Sequence, residues 1–220
     1  MRRMIKSKDR VKNQGEVFTP AHIVKDMLDM VGDDISDKTK RILEPACGDG
    51  NFLVDILQRR LDRIPRKLKI DDREFEVLII LSNIYGIDIM QDNVIEARSR
   101  LFGIVNTFFS EEKNSAAFLI AANTIIEKNT IRGDSLKHKA DIKVLEWKPI
   151  LGLKGFEINP HTLAQIENDM KDVVVANSLA DIKTVVDEIF MPKPSPKTIF
   201  KPRKELESQK SLFDINKEGL

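Results

Sequence analysis

Apolar positions along the chain change period several times, and each change marks an element. Ile23, Val24, Met27, Leu28 and Val31 fall on one helical face, and Thr19-Pro20 ahead of them supplies an N-cap and a first helical residue. The short apolar run Ile42-Leu43 then leads through a turn with two glycines into Phe52–Leu61, which reads as a helix. Glu74–Leu81 predicts another helix, and Ile84-Tyr85-Gly86-Ile87-Asp88 a strand that ends in an acid. Helices are expected over Asn93–Leu101 and Ser115–Ile126, and a strand over Ile142–Trp147. Leu163, Ile166, Met170, Val173, Ala180 and Val185 are spaced as a long helix over residues 160–190, with Asn159 as its cap and Pro160 as its first residue. From Met191 onward four prolines and many lysines replace any periodicity. The expected organisation is a basic lead-in over 1–18, a folded domain over 19–190 and a flexible tail over 191–220.

The turn Glu44-Pro45-Ala46-Cys47-Gly48-Asp49-Gly50-Asn51 carries the chemistry. Strand, tight glycine turn and helix is the opening of a nucleotide-binding α/β unit, and the glycines admit backbone close to a ligand. A phosphate cradle would carry a lysine, and this turn carries carboxylates instead. Acids at strand ends suit a ligand with a cationic amine or ribose hydroxyls, which points to S-adenosylmethionine. Glu44 and Asp88 lie 44 residues apart, against about 20 in a minimal dinucleotide unit, so an insertion with extra helix separates the two strands.

Composition narrows the picture modestly. The 220 residues are 41% hydrophobic with a net charge of +1, enough for a core and too balanced for a polycation. The charge is uneven: Arg2, Arg3, Lys6, Lys8, Arg10 and Lys12 face only Asp9 in the first 13 residues. Those cations are either a solvated terminus or contacts to nucleic-acid phosphates. The one cysteine, Cys47, precludes an internal disulfide, fits a reducing cytoplasm and reads as a small packing residue. No apolar stretch follows Met1-Arg2-Arg3 as a signal peptide needs, no run reaches membrane-span length, and no metal is expected.

Four segments in order, Asn13–Pro20, Glu44–Leu53, Ile84–Ile89 and Ile131–Leu136, resemble the adenine-specific (N6) DNA methyltransferases of restriction–modification systems. The resemblance implies a doubly wound, mostly parallel α/β sheet of the Rossmann-like methyltransferase kind, with a helical N-terminal lead-in and S-adenosylmethionine as cofactor. It implies that Asp88 accepts the ribose hydroxyls, that Ile89 covers the adenine, and that Asp134 accepts the adenine amine beside Ser135. Glu44 would lie near the amino-acid portion of the cofactor, Ala46, Gly48 and Gly50 would let the backbone approach, and Thr19 and Pro20 would touch the methionine end.

The family's Asn-Pro-Pro-aromatic tetrapeptide, which holds the flipped target base, does not occur here. Asn159-Pro160 retains its first two residues, as a catalytic remnant or as a helix cap; Asp172–Ser178 mimics the strand that leads into the motif, or is one face of the long helix. The expected function is DNA methylation at N6 of adenine, with a specificity subunit for target recognition. An inactive methyltransferase-like binding module, and methylation of protein or RNA, are the alternatives. Gln209, Leu212 and Phe213 in the tail resemble the peptide by which replication proteins dock on the bacterial sliding clamp.

Overall fold

A computed structural model describes residues 5–110, 112–165, 174–176 and 181–190. All of these but Phe190 belong to one unit, residues 1–189.

Three strands, β1 (Ile42–Glu44), β2 (Ile84–Asp88) and β3 (Thr130–Arg132), form a parallel sheet in the order β1-β2-β3. Glu44 lies opposite Gly86, and Asp88 opposite Arg132, so the carboxyl ends of the strands converge on one edge. Every residue of the central β2 is buried, as expected where neighbours and helices enclose a parallel strand. Helix α1 (Lys8–Gln14) and α2 (Ala21–Val31) precede β1; α3 (Asn51–Leu61) and α4 (Ile70–Ser82) separate β1 from β2; α5 (Gln91–Phe108) and α6 (Ala116–Asn129) separate β2 from β3. The long β1–β2 connection is therefore two helices, as its length required.

Helix α3 buries Leu53, Ile56, Leu57 and Leu61, a spacing that keeps one side chain per turn on the same stripe. Gly86 admits that stripe: a Cβ there would stand 2.6 Å from Leu53 Cδ1 and 3.1 Å from Cys47 Sγ. The Glu74 carboxylate in α4 accepts both the backbone N–H (2.7 Å) and the hydroxyl (2.9 Å) of Ser115, which caps α6. The buried Arg60 guanidinium donates to the carbonyls of Ile35 (2.9 Å) and Lys40 (2.8 Å), which fixes the approach to β1.

Two expectations near the start change. Pro20 is the residue that caps α2, one position later than the Thr19-Pro20 signature predicts. Only Val24 and Leu28 of the five apolar α2 positions are buried; Ile23, Met27 and Val31 are exposed, together with Met30.

The larger correction lies beyond residue 140. Residues 160–190 are not one long helix. β4 (Lys143–Ile150), β5 (Gly155–Thr162) and β6 (Val174–Ala176) form a separate antiparallel sheet; among the described residues of 160–190, a 3-10 turn at Leu163–Gln165 and α7 (Asp181–Phe190) are helical. Asn159 and Pro160 sit in β5 opposite Glu146 and Leu145, so neither caps a helix. The alternation of period two in Leu145, Trp147, Phe156 and Ile158 is the stronger signal. Those four bury one face of the hairpin. Phe156 meets Phe75 of α4 (5.6 Å between centroids) and Trp147 (5.9 Å), while Trp147 Nε1 donates to Asn129 Oδ1 (2.9 Å). Tyr85 in β2 donates its hydroxyl to the Leu145 carbonyl at 2.8 Å. Ile166, Met170, Val173, Asn177, Ser178, Ala180 and the tail with Gln209, Leu212 and Phe213 lie outside the described residues.

Phe156 is the ring that seats the hairpin on α4. Phe156→Ala should lower the free energy of unfolding in urea by about 3–5 kcal/mol, and a loss under about 1 kcal/mol would contradict this packing.

Candidate functional site

β1 ends at Glu44 and the chain turns back on itself. Gly48 (φ 54°) and Gly50 (φ 87°) occupy the left-handed region, and a Cβ on Gly50 would stand 2.9 Å from that of Ala97 in α5. The turn is closed by Gly50 N–H on the Cys47 carbonyl (2.9 Å), and Cys47 N–H donates to the Ile87 carbonyl (2.8 Å). That second bond carries the β1–β2 pairing past the end of β1.

The Asp88 carboxylate, 9% exposed, ties the turn to β2. Oδ2 accepts the Gly48 N–H at 2.9 Å; Oδ1 accepts the Met90 N–H at 2.8 Å and Asn93 Nδ2 at 3.2 Å. The Asp88 carbonyl accepts the Gly133 N–H (3.0 Å), and Ser135 Oγ donates to the Pro45 carbonyl (2.9 Å), so the segment after β3 joins the same cluster. The entry segment completes it. The Phe18 ring packs against Gly48, with ring carbons 3.1 Å from the place of a Cβ, and Asn51 Nδ2 donates to the Thr19 carbonyl (2.9 Å). Thr19, Pro20, Glu44, Ala46, Gly48, Gly50, Asp88, Ile89, Asp134 and Ser135 thus lie on four segments linked to one another at the carboxyl end of the sheet.

The carboxylates of this cluster differ in what meets them. Asp49 is buried and paired with Arg100 at 3.2 Å. Asp134 is half-buried; the Lys137 and Leu136 N–H groups, both 3.0 Å from Oδ1, hold its carboxyl below the usual range. Glu44 is half-buried and accepts the Ala46 N–H, and burial pushes its carboxyl up. No ion pair engages Glu44 among the described residues. Such a carboxylate beside open backbone attracts a cationic ligand group. The Cys47 thiol, buried beside Asp88 and Glu44, is pushed up to about 12, which leaves it protonated and a packing residue.

Asn159 and Pro160 lie elsewhere. Asn159 is buried, and its Nδ2 donates to Glu146 Oε2 (3.2 Å) and Glu157 Oε1 (3.4 Å). Glu146 in turn pairs with Arg41 at 2.6 Å, immediately before β1. That is the amino end of the strand whose carboxyl end holds Glu44. A cavity of about 440 Å³, lined by Leu43, Tyr85, Ile87, Ile131, Glu146 and His161 among others, occupies this side. Lys6, Arg10, Glu16, Phe18 and Asn93 were not singled out as site residues from the sequence, although Asp92-Asn93 at a helix start and the basic residues upstream were the signal.

A model of the family described as N-6 DNA Methylase matches residues 4–178. The Type II restriction enzyme and methyltransferase RM.BcgI of Heyndrickxia coagulans is 32% identical over 117 residues, which are 53% of this chain and 16% of that protein. The chain thus spans a small part of that relative's length. No solved structure matches the chain.

Burial raises the folded-state pKa of Glu44 above its unfolded value, so its contribution favours folding below the unfolded value and is lost as pH rises through the folded one. Glu44→Gln should therefore be more stable than the parent in urea at about pH 7.5, with the difference closing near about pH 4. A less stable variant at neutral pH would show that a cationic partner stabilises the charged form.

Proposed function

The chain belongs to the N-6 DNA methylase family, and we propose that it binds S-adenosylmethionine at the carboxyl ends of β1, β2 and β3 and methylates N6 of adenine in DNA. The carrying observation is Glu44, a half-buried carboxylate with no cation beside it among the described residues, next to a turn whose glycines leave backbone open. When bound, the cofactor supplies an activated methyl group on a sulfonium. In this reading Asp88 holds the ribose hydroxyls with its remaining acceptor capacity. Ile89, 47% exposed, offers an apolar surface to the adenine. Asp134 and Ser135 face the adenine amine, and Thr19 and Pro20 close over the methionine end. The wider fold is then the doubly wound form of the family's sheet.

The acceptor side needs an amide and a carbonyl that take the hydrogens of the target amine as it gains positive charge. Asn159-Pro160 has the residue types, but its Nδ2 is held by Glu146 and Glu157 and its Oδ1, unpartnered among the described residues, is buried in β5, away from the carboxyl end of the parallel sheet. β6 runs directly into Asn177, the arrangement that the resemblance assigns to the strand before the motif. That favours Asn177 over Asn159. The segment at Asn177 lacks both prolines and the aromatic ring, and the one at Asn159-Pro160 lacks the second proline and the ring, which favours the second reading, a binding module that holds cofactor without transfer. A specificity subunit, and a sliding clamp engaged through Gln209, Leu212 and Phe213, complete the proposal as partners.

Purified chain incubated with methyl-labelled S-adenosylmethionine and duplex DNA should yield N6-methyladenine by mass spectrometry of the digested DNA. Asn177→Ala should lower the yield about 100-fold while Asn159→Ala leaves it within about twofold. Methylcytosine without methyladenine would refute the acceptor. Cofactor binding with no transfer to DNA would establish the binding module instead.

A further inference from the structure

Two basic residues of the lead-in, Lys6 and Arg10, are engaged inside the protein. Ser7 Oγ accepts the Arg10 N–H at 3.1 Å and starts α1; Gly15, at φ 65°, ends it. Arg10 grips Asp92 at the start of α5 with both ends of its guanidinium, Nη1 to Oδ2 at 2.7 Å and Nη2 to Oδ1 at 3.1 Å. Lys6 Nζ reaches Asp92 Oδ2 (2.8 Å) and Glu96 Oε2 (3.3 Å). Arg10 and Lys6 hold the Asp92 carboxyl well below the usual carboxylate range.

Between this ion cluster and Asp88 stands one amide. Asn93 is 1% exposed. Its Oδ1 accepts from Lys6 Nζ (2.7 Å) and Arg10 Nη2 (3.4 Å), and its Nδ2 donates to Glu16 Oε2 (3.0 Å) and Asp88 Oδ1 (3.2 Å). Turning the amide over would aim its N–H groups at two cations and its oxygen at two carboxylates. The charges therefore permit one orientation only. Glu16 is itself paired with Arg10, so the lead-in clamps the amide from both sides.

We propose that Glu16 and Asn93 are positioning residues: the N-terminal helix, through its ion cluster, sets the Asn93 amide, and that amide sets the Asp88 carboxylate toward the ribose of the cofactor. The proposal rests on the reading of Asp88 as the ribose acceptor. It gives the lead-in a part in cofactor selection, so that a cofactor-site property is controlled from the segment that precedes the site in sequence.

The test compares two ligands by calorimetry on the full chain, S-adenosylhomocysteine and its 2′,3′-dideoxyribosyl analogue. The parent should bind the first about tenfold or more tightly than the second, since only the first offers hydroxyls to a charged acceptor. Asn93→Ala and Glu16→Gln should each lose most of that discrimination by weakening binding of the first ligand, with the second bound as before. Glu16→Gln keeps the side-chain shape and serves where Asn93→Ala does not fold. Equal weakening toward both ligands would assign the residues a merely structural role, and full retention of discrimination would remove any role; either overturns the proposal. A parent that binds both ligands equally, or neither, would instead overturn the ribose reading of Asp88.

Discussion

Burying a carboxylate costs free energy unless donors meet it, and at Asp88 three donors arrive from different parts of the chain. Gly48 comes from the turn after β1, Met90 from the residue before α5, and Asn93 from the first turn of that helix. The shape of the turn, the entry of α5 and the seating of the N-terminal helix are all referred to one side chain. The glycines follow from the same constraint. Gly50 must let the turn pass Ala97, and Gly86 must let α3 lie on β2, or the Gly48 N–H could not reach the carboxylate. What this arrangement leaves uncompensated is Glu44, one strand away.

The antiparallel sheet is built on different physics. Its hairpin pairs over its whole length and is seated by aromatic contacts through Phe75, Trp147 and Phe156. It meets the parallel sheet through the Tyr85 hydroxyl and the Arg41–Glu146 pair. Among the described residues β1 is an edge of the parallel sheet, and Leu43, 41% exposed, lines the cavity that Glu146 and His161 also line. Asn159 and Pro160 lie in this hairpin, away from the carboxyl edge of the parallel sheet that holds Glu44 and Asp88.

The parallel strands and their terminal acids were legible because local signals agreed. At Asp88 an apolar run ends in an acid before a helix, and at Gly48-Gly50 the turn chemistry can be satisfied in one way. The first strand of the hairpin was legible at Ile142–Trp147; the second, Gly155–Thr162, was missed because Leu163, Ile166, Met170 and Val173 happen to fall at helical spacing, and Asn159-Pro160 looks like a helix start. Period-two burial in Trp147, Phe156 and Ile158 was equally visible but short, and short apolar runs do not separate strand from helix by periodicity alone. The role of Lys6 and Arg10 was hidden for another reason. Their partners Asp92 and Asn93 lie more than 80 residues away in sequence, and no local pattern announces a pairing at that distance.

The central claim is that the entry segment, the glycine turn, the end of β2 and the segment after β3 are one ligand site. Hydrogen exchange read by mass spectrometry, with and without saturating S-adenosylhomocysteine, tests it most directly. The account predicts that amides within residues 16–20, 44–51, 88–93 and 133–136 slow together on adding ligand, while those of the hairpin over 143–162 do not. Saturating ligand that leaves all four segments unchanged, or that protects the hairpin instead, would contradict it.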